Sequence, residues 1–196
     1  IIDALEAAVR EPALYPRETD ARAEALALQE RLDRELGPAV RCALFSMIVD
    51  EADYMCGMFA QGRAWPQRAL YRAGYTVAKG MIRRGNGVTG KAAVEAAFRT
   101  TGQIFDELAE RYGRSRYLIG DAFSVADLAA CALSAVAFDP PDCDMTRPRP
   151  MPQSLEDWLA RWQGHPLRTH VLRSAMIRVM PIAGQALANL ITGTLV

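Results

Sequence analysis

The stretch Tyr117-Leu118-Ile119-Gly120-Asp121-Ala122-Phe123-Ser124-Val125-Ala126-Asp127-Leu128 decides how this chain is read. It is a loop that stops abruptly and starts a helix. Ser124 suits the N-cap, where its hydroxyl can accept from the backbone N–H of Asp127. Asp127, three residues on, can return a bond to the Ser124 N–H and close a capping box. Phe123 before the cap and Leu128 after it are spaced for a hydrophobic staple. Asp127 also sets a negative charge at the positive end of the helix dipole. A serine and an acid three apart invite a catalytic assignment, but capping uses both side chains. They are expected to hold the fold, and loss of the Asp127 carboxylate to cost about 0.5–2 kcal/mol, more if the cap is buried.

Outward from this segment the pattern is helical throughout. Ile1–Val9 reads as a short amphipathic helix, and Pro12 and Pro16 enforce an extended linker. Thr19 or Asp20 can cap the next helix, with Ala21, Ala25, Leu28, Leu32, Leu36 and Val40 on one face. Gly37-Pro38 is expected to bend it before the pattern resumes through Leu44, Phe45, Ile48 and Val49. Further helices are expected from Trp65-Pro66 to Arg83, from Thr89 to Arg111 with Gly113 terminating, and from Ser124 to Phe138. Ser154-Leu155-Glu156-Asp157 looks like a second box, opening the Trp158–Trp162 helix, and Leu167–Met180 can form another. No segment alternates with period two, so the fold class is all-α.

Composition narrows the function classes. Of 196 residues, 51% are hydrophobic, enough for a sizeable core, and 23 basic residues balance 23 acidic ones. That balance argues against nucleic acid or an anionic membrane as partner. Cys42, Cys56, Cys131 and Cys143 form no C-x-x-C pair, and a reduced, cytoplasmic protein is the expectation. His165 and His170 lie five apart around Pro166 with no ligand cluster, so no metal site is expected. No nucleophile elbow and no phosphate-loop spacing occur.

The motif Gly120-Asp121-x-Phe123-Ser124-x-Ala126-Asp127-Leu128 resembles the capping-box and staple signature of the C-terminal helical domain of cytosolic glutathione S-transferases. Leu14-Tyr15-Pro16 followed by a long interrupted helix is similar to that family's linker and first domain-two helix, and Trp158 through His165-Pro166 to its tryptophan-bearing helix. The resemblance implies a helical bundle over residues 19–196, a linker over 11–18, and residues 1–10 as the last helix of an otherwise missing thioredoxin-fold domain. It implies glutathione as co-substrate, bound and activated by that domain, so no catalytic residue is assigned here. It also implies a homodimer, and conjugation of glutathione to a small hydrophobic electrophile. The alternative is a non-catalytic transferase-like module that binds a protein partner or a hydrophobic ligand.

Arg41, Phe45, Val49, Asp53 and Tyr54 mix apolar area with a few polar groups, as small-molecule pockets do. In the resembled family the corresponding helix lines the co-substrate site. Phe45 and Val49 are then expected as apolar walls, with Arg41 or Asp53 orienting the substrate or bridging domains. A core role for Phe45 and Val49, with Arg41 and Asp53 solvated, is the simpler reading of the same residues. Val179–Val196 carries no charge and approaches the ~20 residues of a membrane span. Pro181, Gly184, Gln185, Asn189 and Gly193 dilute it, so it is read as a cytosolic helix packed on the domain or folded over the cleft, with a membrane-anchoring tail, as some transferase-like relatives carry, as the alternative.

Overall fold

The computed structural model describes residues 13–141 and 147–176, which form seven α-helices and no strand. These are α1 (Thr19–Ile48), α2 (Ala52–Phe59), α3 (Trp65–Gly85), α4 (Lys91–Arg114), α5 (Val125–Phe138), α6 (Gln153–Arg161) and α7 (Pro166–Met176). The expected helix over Ile1–Val9, the loop cysteine Cys143 and the Val179–Val196 tail lie outside the described residues.

The body is a bundle centred on α1, which packs along α4 and α5. α7 closes over α4 and α5, and α6 touches α1 and α5. α1 earns that place through one stripe: Ala25, Leu28, Leu32, Leu36, Val40 and Ile48 are all buried at helical spacing. Full burial of a leucine or isoleucine stabilises by about 1.5–3 kcal/mol, so the stripe outweighs local conflicts along the helix. One such conflict is Pro38. The sequence leads one to expect an interruption there, yet α1 runs unbroken through it. Proline withdraws only one donor, the partner of the Arg34 carbonyl, and Arg34 and Pro38 both face solvent where water can replace it. Phe105 anchors the other side of the core, stacked on Phe138 at 5.2 Å and meeting Trp162 edge-on at 5.0 Å.

Three boundaries differ from expectation. Glu18, not Thr19 or Asp20, caps α1, because its longer carboxylate reaches the N–H groups of Asp20 and Ala21 at 3.0 and 2.7 Å. α6 starts one residue before Ser154, from Pro152, whose carbonyl accepts from Leu155 and Glu156. Ser154 is therefore an exposed helical residue and no second box forms. Gly113 lies inside α4, which continues to Arg114.

The opening segment behaves as a folding node. Gly120, at φ +64°, turns the chain into the cap, a left-handed geometry that favours glycine. Ser124 is the N-cap and a capping box is present, but its hydroxyl hydrogen goes to Asp127 rather than leaving the serine as acceptor only. Asp127 is 1% exposed and receives four donors. The Ser124 N–H and O–H reach Oδ2, each at 2.9 Å, while the Leu118 N–H and Tyr112 O–H reach Oδ1 at 2.9 and 3.0 Å. Phe123 and Leu128 are both half-buried.

Candidate functional site

The residues expected to form a pocket lie at the end of α1 and on α2. α1 stops at Ile48, and Glu51 begins a separate eight-residue helix, α2. A turn therefore separates Arg41 and Phe45 on α1 from Asp53 and Tyr54 on α2.

Phe45 is half-buried and stacks on Phe59 with ring centroids 6.4 Å apart; Phe59 is 47% exposed. Val49 is fully buried, so it is a core residue and not the apolar wall expected of it. Its carbonyl accepts the Tyr75 hydroxyl at 2.6 Å, which ties α3 to the end of α1. Asp50 reinforces that tie through Lys79 at 2.6 Å and Arg83 at 2.9 Å. The Lys79 hydrogen bond, more than any other influence, holds the Asp50 carboxyl below the usual aspartate range.

Asp53 and Tyr54 come together. They line a cavity of about 300 Å³ with Glu51 on one side and Pro148, Arg149, Pro150, Met151 and Pro152 on the other. The loop packs hard on α2: a Cβ at Gly57 would lie 3.1–3.2 Å from Pro148, so glycine permits the approach. Asp53 pairs with Arg72 at 3.0 Å. Burial raises the Tyr54 hydroxyl above the ordinary tyrosine range, against the opposing pull of Arg147. Arg147 stands near that hydroxyl without reaching hydrogen-bond geometry. Its guanidinium binds Asp139 at 2.7 Å and the Val136 carbonyl, placing a cation at the C-terminal end of α5.

Arg41 lies elsewhere, lining a cavity of about 340 Å³ between α1 and α5 with Asp33, Pro38, Leu44 and Leu133. A larger groove, about 570 Å³, runs between α1 and α4 past Ala39, Cys42 and Ala97 to Arg31 and Glu107. Cys42 is buried and donates to the Gly87 carbonyl at 3.3 Å, and burial pushes its thiol upward, away from the reactive thiolate form.

Neither histidine is placed for chemistry. His165 opens α7, its Nδ1 accepting from the Leu167 N–H and its Nε2 facing Asp106 at 3.1 Å. His170 stacks flat on Tyr112 at 4.6 Å. Among the described residues no group of His, Cys, Asp or Glu could hold a metal ion. Ser124 cannot serve as a nucleophile either, since its proton and its acid partner are committed to the buried cap. What remains is the partly open Phe45–Phe59 pair and, on α2, a proline-walled cavity at Asp53 and Tyr54, features suited to binding rather than bond-making. Sequence spacing pointed to Phe45, Asp53 and Tyr54 here. It missed Phe59 and the Pro148–Pro152 loop, which are brought in by the turn after α1 and by long-range packing.

The family model for the glutathione S-transferase C-terminal domain matches residues 53–162. The chain belongs to that family. No curated protein and no solved structure matches it. The matched span runs from α2 through α6, so it includes the glutathione S-transferase capping segment and the Trp158–Trp162 turn. The all-helical architecture is that of this transferase domain, and no described helix is long and apolar enough to cross a membrane.

Proposed function

We propose that this domain is the co-substrate-binding part of a cytoplasmic, homodimeric glutathione S-transferase that joins glutathione to small hydrophobic electrophiles. The family match over residues 53–162 carries this reading. Glutathione is bound by a thioredoxin-fold domain, where a hydroxyl or thiol donor lowers the pKa of its thiol and favours the thiolate. The sulfur attacks the electrophilic carbon, the C–S bond forms, and a leaving group such as halide departs with its electron pair. The thiol proton has already gone to solvent.

This chain's own residues act on the electrophile. Phe45 and Phe59 offer it an aromatic wall that excludes water, while Asp53 and Tyr54 line a separate cavity against the Pro148–Pro152 loop. Arg41, one turn before Phe45 on the same helix and at a different cavity, is available to orient a substrate or bridge to the neighbouring domain. The test uses the full-length protein: retention on glutathione resin, then conjugation of an aryl chloride followed by absorbance. Retention with turnover is expected. Neither retention nor turnover would overturn the enzyme reading and leave a binding module.

A further inference from the structure

α3 is the peripheral helix of the molecule. It packs on α2 and is tied to the end of α1 by Tyr75, Lys79 and Arg83, and Tyr75 is its one buried side chain. Tyr71, Tyr75 and Ile82 form its inner face. At about 3.6 residues per turn, Pro66, Leu70, Ala73, Val77, Gly80 and Met81 share the opposite face. There Leu70 is 75% exposed, Val77 86% and Met81 73%, and Trp65, at one border, is 80% exposed. Of the large apolar side chains that stand exposed among the described residues, all but Leu26 lie between Phe59 and Met81. Isolated exposed apolar residues are ordinary, but a group gathered on one face marks an interaction surface.

Charge and shape identify what that surface meets. The whole-chain balance that argues against an anionic membrane conceals an uneven distribution: from Tyr54 to Val94 there are seven basic residues and no acidic one. Asp53 answers Arg72, and Asp50 alone answers both Lys79 and Arg83. Arg63, Arg68 and Arg84 are exposed and make no ion pair among the described residues. Arg84 closes the apolar face at its C-terminal end, and Arg72 and Arg83 follow the Trp65 border. Their stems can lie along apolar surface while the guanidinium groups reach a polar layer above it. The face itself is the convex side of a helix, with its large side chains spaced apart by Ala73, Gly74 and Gly80, and none of the cavities described above reaches it. A protein partner needs complementary shape, whereas acyl chains fill in around separate side chains. An apolar face edged by cations and a tryptophan is the pattern of a helix that lies in a membrane surface.

We propose that the outer face of α3 docks on an anionic lipid surface, with the helix parallel to the bilayer plane. Leu70, Val77 and Met81 then enter the boundary of the acyl chains by about 5–10 Å, and Trp65 sits at headgroup level. Arg63 and Arg84, at the two ends of the helix, meet the lipid phosphates. At about 1.5 Å per residue the 21 residues of α3 run about 32 Å, close to the thickness of a bilayer core. It is nevertheless not apolar enough to cross one, and its Tyr75 face is committed to the end of α1, so it lies on the surface. The proposal is independent of glutathione chemistry.

Vesicle flotation of the full-length protein tests it, with Trp65 as reporter, since Trp158 and Trp162 are buried. Binding is expected to phosphatidylcholine vesicles carrying about 30% phosphatidylserine, with a blue shift of tryptophan emission. It should weaken severalfold on pure phosphatidylcholine, and again as salt rises from about 0.05 to 0.5 M. Val77→Asp should lower partition by about tenfold or more, and Arg63→Glu with Arg84→Glu by about 20-fold or more, with helicity by circular dichroism unchanged. Vesicle binding that leaves the emission unshifted and survives Val77→Asp would place the contact elsewhere in the chain and overturn this surface. Absence of vesicle binding would overturn the lipid partner, and retention on immobilised polyglutamate in its place would identify an acidic protein instead.

Discussion

Replacement of Asp127 tests the folding node most directly. Its two oxygens take four donors at 2.9–3.0 Å in a site closed to solvent. Asp127→Asn keeps the shape but presents one oxygen and one NH₂, so one pair of donors must face another donor. Whichever way the amide turns, that pair includes a buried backbone N–H, from Leu118 or from Ser124. Hydrogen bonds to charged groups contribute about 1.5–3 kcal/mol, and an orphaned buried donor costs about 1–3 kcal/mol. The Ser124 and Tyr112 hydroxyls can rotate, so the losses do not simply add. A cost of about 3–5 kcal/mol follows for Asn, and a similar or larger one for Ala. Both exceed the 0.5–2 kcal/mol of an ordinary N-cap.

Urea unfolding read by tryptophan fluorescence and by far-ultraviolet circular dichroism measures this, since Trp158 and Trp162 are buried in the core. Ser124→Ala supplies the control. It deletes one donor to the carboxylate and the acceptor for the Asp127 N–H, but leaves the Ser124 N–H bond in place, for a cost of about 0.5–2 kcal/mol. The reasoning is refuted if Asp127→Ala lies within about 1 kcal/mol of wild type, a typical cap loss, or if Ser124→Ala is the more damaging change.

Burial is the first cause holding Tyr54, Tyr71, Tyr75 and Tyr112 above the ordinary tyrosine range. Unfolded tyrosines release protons near pH 10 while these retain theirs, so the stability they contribute is present below about pH 10 and lost as pH rises beyond it. Urea midpoints that stay flat from pH 9 to 11.5 would contradict this. At the acid end, Asp50 and Glu107 are held low chiefly by bonds from Lys79 and Arg31. Their contribution is present above about pH 4 and should fade as pH drops below it. Arg147→Ala removes both the Asp139 pair and the donor to the Val136 carbonyl, and is expected to destabilise by about 1–3 kcal/mol in the same urea assay, with Arg147→Lys intermediate. In the full-length protein, if it conjugates glutathione as proposed, Phe59→Ala should raise KM for an apolar aryl halide severalfold and leave KM for glutathione unchanged; equal movement of both would place the wall elsewhere.

The all-helical fold was legible because apolar spacing near 3.6 persists through every long element, and because the capping segment is local chemistry. The α1 stripe and the Ser124–Asp127 pair both follow from spacing alone. Features set by distant neighbours were not legible. Nothing local says that Pro38 faces solvent, that a glutamate reaches farther than Thr19 to cap α1, or that Leu118 and Tyr112 converge on Asp127. The candidate site suffered most from this. Arg41, Phe45 and Val49 share a helical stripe in the sequence, but which part meets the core depends on α3 and on the turn after Ile48. Val49 went inward, Arg41 to another cavity, and Asp53 and Tyr54 to the Pro148–Pro152 loop. Phe59 carries no periodic signal strong enough to single it out in an eight-residue helix.

The folding node also has a positional consequence. The first N–H of any helix lacks an intrahelical acceptor, and here the Val125 N–H finds the carbonyl of Leu14 at 2.9 Å. The adjacent Tyr15 ring lies under the Arg22 guanidinium at 4.7 Å, near the start of α1. The linker is thus fastened at two successive residues, once to the start of α5 and once to the start of α1. Val125 is fully buried, so releasing Leu14 would orphan a donor that water cannot reach. Conversely, loosening the Asp127 cap frays the turn that holds Leu14. The capping box therefore bears on function without doing chemistry, because it fixes where the preceding chain leaves this domain. Under the proposed function, that exit point would set how a glutathione-binding domain is presented to the Phe45–Phe59 surface.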